Sequence, residues 1–181
     1  MACFYVFLAQ GFEEVEALCT VDLLRRAGIK VVTAGVGSKT VTGSHSVTVT
    51  ADREISELDD GFDGIVLPGG MPGTLNLERN ALVQSFMKKA VETDRYLCAI
   101  CAAPSIPGHA GYLKNKKAVC YPGFENTLEG AQVLFDGVCA DGKIITSRGA
   151  GTAVDFALKI IELVSGKEES EKIRKGILYR E

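Results

Sequence analysis

An α/β fold with a doubly wound, mainly parallel sheet, helices on both of its faces and an added β-ribbon is what this sequence predicts. Two observations predict it. Short apolar, β-branched runs alternate along the chain with amphipathic helical stretches, the pattern of parallel βαβ units. No internal repeat, low-complexity tract or Pro/Gly/Ser linker breaks that alternation, so residues 1–181 read as a single domain. With 46% apolar and 24% charged residues, the chain is also long enough to bury a continuous core.

The first run, Tyr5 to Leu8, is followed by a helix from Glu13 to Ala27, which carries Val15, Leu18, Leu23 and Leu24 and stops at Gly28. Val31 to Val36, Gly64 to Leu67, Leu97 to Ile100 and Lys143 to Thr146 supply the remaining buried strands. Val83 to Val91 and Thr152 to Val164 repeat the helical pattern. Val41 to Asp52 alternates apolar and polar residues as an antiparallel ribbon does, and Val133 to Lys143 reads as a second hairpin around Asp141-Gly142. Both are expected to be appendages on the parallel core.

The formal charge of −3 (20 Lys and Arg against 23 Asp and Glu) has no basic run behind it, so no nucleic-acid partner is indicated. No apolar run approaches the ~18 residues that span a bilayer, and the first residues lack the basic region of a signal peptide, so neither a membrane partner nor export is indicated. A cytoplasmic protein is expected, with its six cysteines reduced and most of them small core residues.

In an open parallel sheet ligands sit beyond the carboxyl ends of the strands. Three such ends carry unusual chemistry. The run Leu97 to Ile100 delivers Cys101 onto Ala102 and Ala103, which are expected to open a helix. There, unpaired N–H groups and the helix dipole favour thiolate and lower its pKa, the logic of a nucleophile elbow; the other reading is one more buried cysteine. Pro68-Gly69-Gly70 lets backbone approach a ligand closely. Alone it is an ordinary turn; with an elbow cysteine its N–H is half of an oxyanion hole, Ala102 N–H being the other half. Glu13, Glu14 and Glu16 open the first helix, and at about 100° per residue Glu13 and Glu16 share a side while Glu14 points elsewhere. Such acids often just complement the helix dipole, but one buried beside the cysteine gains a raised pKa and can carry a proton.

Other combinations are weaker. Cys98 and Cys101 have dithiol spacing, but Cys98 lies inside the strand with its side chain turned away. Cys120 and Cys139 form no close pair, so no metal site is expected. His109 lies eight residues beyond Cys101, roughly 12 Å along a continued helix, and His45 falls on the ribbon, from which it reaches a site only across a dimer. Gly149-Ala150-Gly151-Thr152 lacks a phosphate-loop signature and reads as tight strand-to-helix packing.

Taken together, Glu13-Glu14-Val15-Glu16-Ala17, Arg25 to Val31, Ile65 to Gly70, Ala99 to Pro104 and Thr146 to Thr152 resemble the DJ-1/ThiJ/PfpI superfamily, in its order and over nearly the whole chain. The resemblance implies a flavodoxin-like (class I glutamine amidotransferase-like) fold, a homodimer, and Cys101 as a nucleophile in strained backbone. It implies Glu16 as the buried, protonated carboxyl bonded to the sulfur, with Gly70 and Ala102 as backbone donors and Gly69, Pro104, Tyr121 and Arg148 as pocket residues. Tyr121 stands before Pro122 where several members carry a histidine, which counts against a Cys-His hydrolase, because a tyrosine is a poor base near neutral pH. The activity implied is cofactor-free conversion of a small aldehyde or dicarbonyl by glyoxalase III or deglycase-type chemistry in stress protection. The alternatives are an oxidative-stress sensor or chaperone whose Cys101 becomes a sulfinate, a Cys-dependent amidase or protease, and the thiamine-biosynthesis role that one family name suggests.

Overall fold

The computed structural model describes residues 1–180. Its strands are β1 (Cys3–Ala9), β2 (Lys30–Val36), β3 (Thr40–Thr42), β4 (Thr48–Thr50), β5 (Arg53–Glu54), β6 (Gly64–Leu67), β7 (Tyr96–Ile100), β8 (Lys117–Ala118), β9 (Gln132–Val133), β10 (Val138–Asp141) and β11 (Ile144–Ser147). Its α-helices are α1 (Glu14–Arg26), α2 (Gly73–Arg79), α3 (Ala81–Glu92), α4 (Ser105–His109), α5 (Ala153–Ser165) and α6 (Lys167–Gly176). The main sheet runs β10-β11-β7-β6-β1-β2-β5, parallel throughout except for β10 against β11. This is the flavodoxin-like α/β fold, with β3 and β4 as the separate ribbon.

The period of two along each strand divides the core. Phe4, Val6 and Leu8 of β1 join Val66, Cys98, Ile100 and Ile145 on the face covered by α1, α5 and α6. Tyr5, Phe7 and Ala9 join Ile65, Leu67, Leu97 and Ala99 on the face covered by α3, which contributes Val83, Phe86, Met87 and Ala90. Because both faces are covered, the central strands carry no polar side, and each fully buried Phe or Leu contributes about 2–3 kcal/mol relative to exposure. The helix after β1 ends as its sequence predicts, with Gly28 at φ +73° beyond the Ala27 cap.

Two expectations are corrected. The turn at Asp141-Gly142 is present, but its arms are β10 and β11, so the hairpin forms an edge of the main sheet instead of an appendage. Val133 pairs with Ala118 in a small parallel sheet of its own. The helix after Cys101 does not begin at Ala102: residues 101–104 form a turn, and α4 runs for only five residues from Ser105. Pro104 is the N-cap there, buried under the turn.

The connections place a crevice. From β1 the chain goes outward to β2 and then crosses back to β6, so connections leave the carboxyl ends of β1 and β6 toward opposite sides. The Glu13 to Glu16 segment follows β1, Gly69-Gly70 follows β6, and Cys101 follows the adjacent β7.

Candidate active site

Cys101 has φ +65°, a left-handed conformation that costs a non-glycine residue free energy and persists only where its surroundings enforce it. They do so through its own peptide groups. Cys101 N–H donates to Ser147 O at 2.9 Å, and Cys101 O accepts from Tyr121 N–H at 2.8 Å. The cysteine is thus clamped between the end of β11 and the loop after β8, with its side chain half-buried.

Glu16, in the first turn of α1, is 1% exposed. Glu13 caps that helix, its Oε2 accepting from Glu16 N–H at 2.8 Å, which sets the turn from which Glu16 points inward. Glu16 Oε2 accepts from Gly69 N–H at 2.8 Å, while Oε1 is buried with no hydrogen-bond partner. Burial pushes the carboxyl pKa up to about 7, against the opposing pull of the Cys101 thiol and Gly69 N–H, with the Glu13 carboxylate adding to the rise.

The Gly70 and Ala102 N–H groups are near enough to Cys101 to act against the rise of its thiol pKa. Gly70, at φ +90°, runs so close to Gly11, Phe12 and Glu13 that an added Cβ would stand 2.5 Å from Gly11 O. Gly69 is just as confined: a Cβ there would lie 2.6 Å from Cys101 Cβ and 2.8 Å from Glu16 Oε2. Glycine at these two positions is what lets the backbone reach the thiol.

The expectation that N–H groups and a helix dipole lower the thiol pKa is not met. Burial first, then the Glu16 carboxylate, push Cys101 up to about 12, and the Ala102 and Gly70 N–H groups only oppose this. Helix α4 is too short, and begins too late, to supply a large dipole. The two acids therefore titrate as a pair. When Glu16 is ionised its charge opposes a thiolate at Cys101; when Glu16 is protonated that repulsion is absent.

The remaining residues sort clearly. Tyr121, Pro122 and Arg148 to Thr152 line an open cleft of about 390 Å³. A Cβ on Gly149 would stand 3.9 Å from the Cys101 sulfur, so the cleft adjoins the thiol. The Gly149 to Thr152 segment, read from sequence as packing, is therefore a wall of the site; its position directly after a buried strand was the available signal. Ser147, which clamps Cys101 through its carbonyl, had no signal, since any residue type supplies that group.

Both histidines pair with carboxylates, and neither lines the cleft. His45 Nδ1 lies 3.1 Å from Glu14 Oε2 and 3.7 Å from Glu13 Oε1, and its side chain is 73% exposed. Glu14 also accepts from His45 N–H at 2.8 Å, so it anchors the ribbon. His109 pairs with Glu78 at 2.6 Å. Cys98 is fully buried in the core.

Known proteins share this arrangement of chain and fold. Residues 3–163 match the model of the DJ-1/PfpI family. The chain is 39% identical over 177 residues to Protein dj-1beta of Drosophila melanogaster, covering 96% of this chain and 95% of that protein. It is 32% identical over 167 residues to the glutathione-independent glyoxalase DJR-1.2 of Caenorhabditis elegans, covering 91% and 89%. Among solved structures, oxidized Toxoplasma gondii DJ-1 superposes with a TM-score of 0.96 at 36% identity, over the full length of both chains.

Proposed function

Because the chain belongs to the DJ-1/PfpI family, we propose that it is a cofactor-free, cysteine-dependent enzyme that converts small 2-oxoaldehydes to 2-hydroxy acids. The observation that carries this reading is the contact of Cys101 with Glu16 and with two backbone donors beside an open cleft. The name of the Caenorhabditis elegans relative supports the same chemistry.

In this mechanism the Cys101 sulfur adds to the aldehyde carbon, and the displaced C=O electron pair becomes an oxyanion held by Gly70 and Ala102 N–H. Glu16 gives it a proton, then takes the proton from that carbon and passes one to the adjacent ketone carbon, while the hydroxyl proton moves from the first oxygen to the former ketone oxygen, leaving a 2-hydroxy thioester. Water cleaves the thioester, so the net change is addition of one water with no outside oxidant. Glu16 suits both directions because its pKa lies near neutrality. Wild-type protein should form lactate from methylglyoxal without glutathione, and Cys101→Ala and Glu16→Gln should each abolish it. Undiminished turnover in either variant overturns the reading.

The same contacts favour a second role. With peroxide as oxidant, the half-buried Cys101 thiolate would take up one oxygen and then another to form a sulfinate, its oxygens meeting the same donors. Mass spectrometry after mild peroxide should place the added oxygen on Cys101, not spread it over all six cysteines. A cytoplasmic homodimer, with Val15, Leu18 and Val47 supplying exposed apolar contact surface, completes the proposal; light scattering checks the mass.

A further inference from the structure

Among the described residues, Arg148 is the one cationic side chain that lines the cleft beside Cys101. Arg148 is the residue immediately after β11, and Ser147 of that strand is in register with Ile100 of β7. Cys101 and Arg148 thus directly follow paired ends of adjacent strands, and Cys101 N–H donates to Ser147 O, the residue before Arg148, at 2.9 Å. Two bonds hold the arginine in place: its N–H donates to Gly137 O at 3.1 Å, and its Nη1 donates to Phe135 O at 3.3 Å. No carboxylate pairs with it among the described residues, and its other guanidinium donors are uncommitted.

The other walls are poor in charge. They are the Tyr121 ring, Pro122 and the Gly149 to Thr152 segment. An aldehyde carbon bonded to the sulfur, with its oxygen on Gly70 and Ala102, directs the rest of the molecule into this cleft. A planar guanidinium there matches a planar carboxylate by paired N–H···O bonds. No lysine and no second arginine lines the cleft to balance a doubly charged group such as a phosphate.

We propose that Arg148 is the specificity-determining residue of this site, and that the preferred substrates are 2-oxoaldehydes bearing a carboxylate on the chain beyond the ketone. The substrate class rests on the dicarbonyl reading above; the carboxylate site does not. The overall step remains R–CO–CHO plus water giving R–CHOH–COO⁻ and a proton, with R itself anionic.

The experiment separates the two claims. Alkylation of Cys101 by iodoacetate and by iodoacetamide, read on its own peptide by mass spectrometry, compares one displacement of iodide with and without a carboxylate and needs no turnover. The iodoacetate-to-iodoacetamide rate ratio in the wild type, normalised to N-acetylcysteine, should drop about tenfold in Arg148→Gln, be partly retained in Arg148→Lys, and fall with added salt. Equal ratios in wild type and Arg148→Gln overturn the carboxylate site. If Arg148→Gln misfolds, a wild-type ratio that is insensitive to salt overturns it instead. In the second arm, kcat/KM for 4,5-dioxopentanoate should exceed that for neutral 2-oxopentanal, and the preference should vanish in Arg148→Gln. A preference for 2-oxopentanal overturns the substrate class. Turnover of neither compound, with the alkylation ratio intact, overturns the dicarbonyl reading and leaves Arg148 as a carboxylate site.

Discussion

Cys98 and Cys101 stand three positions apart on and just after one strand, yet their surroundings differ completely. Cys98 points into the core among aliphatic side chains, and burial alone raises its pKa. Cys101 is buried by less, and it meets an acid and two backbone donors. Desolvation acts on both thiols in the same direction, so what distinguishes a working cysteine here is the set of partners that can hold the thiolate. Burial without partners gives an inert residue.

The largest break in that comparison is removal of each sulfur in turn. Cys101→Ser should lower methylglyoxal turnover by at least ~10³-fold, whereas Cys98→Ala should leave kcat/KM within about threefold and cost roughly 1 kcal/mol of stability in denaturant melts. Loss of turnover in both variants would mean that the strand, not the elbow, carries the chemistry.

A second variant leaves the sulfur and disturbs its partners. Gly69→Ala puts a methyl group where Cys101 Cβ and Glu16 Oε2 already stand. Displacing the pair by even an ångström should reduce turnover about 10²-fold, with the Cys98 environment unaffected. Full activity in this variant would show that the glycine is not needed for the contact.

The smallest effect is on stability. The Glu16 pKa is raised from 4.5 to about 7, so between those values the folded protein binds the extra proton. Stability that is present below pH 4.5 is therefore lost as pH rises through about 7, on the order of 3 kcal/mol from this group. Glu16→Gln cannot ionise, so its stability relative to wild type should climb across that interval. Parallel stability curves for the two proteins from pH 5 to pH 8 would contradict the raised carboxyl.

Much of this was legible in the residues. The buried strands showed as apolar runs because both sheet faces are covered, and Cys101 stood out because a strand ends on it. Other features were hidden for physical reasons. Helix α6 has only Ser170 and Ile173 buried, too few to produce an apolar periodicity, and the Gln132 to Asp141 stretch pairs with two different sheets. Ala102 and Ala103 are good helix formers, but Pro104 and the Cys101 conformation keep them in a turn. Glu16 could not be singled out from Glu13 and Glu14 by spacing, because all three find partners: one caps the helix, one anchors the ribbon and one meets the thiol.

The central claim is that Cys101 and Glu16 share a proton, and the rate of Cys101 alkylation by iodoacetamide between pH 5 and pH 10 tests it without any substrate. For wild-type protein the rate should show a first, small step near 7, where the pair loses its first proton, with the main rise only toward 12, and Glu16→Gln should lose the step near 7. A wild-type profile with no step near 7, or the same profile in both proteins, would contradict the account.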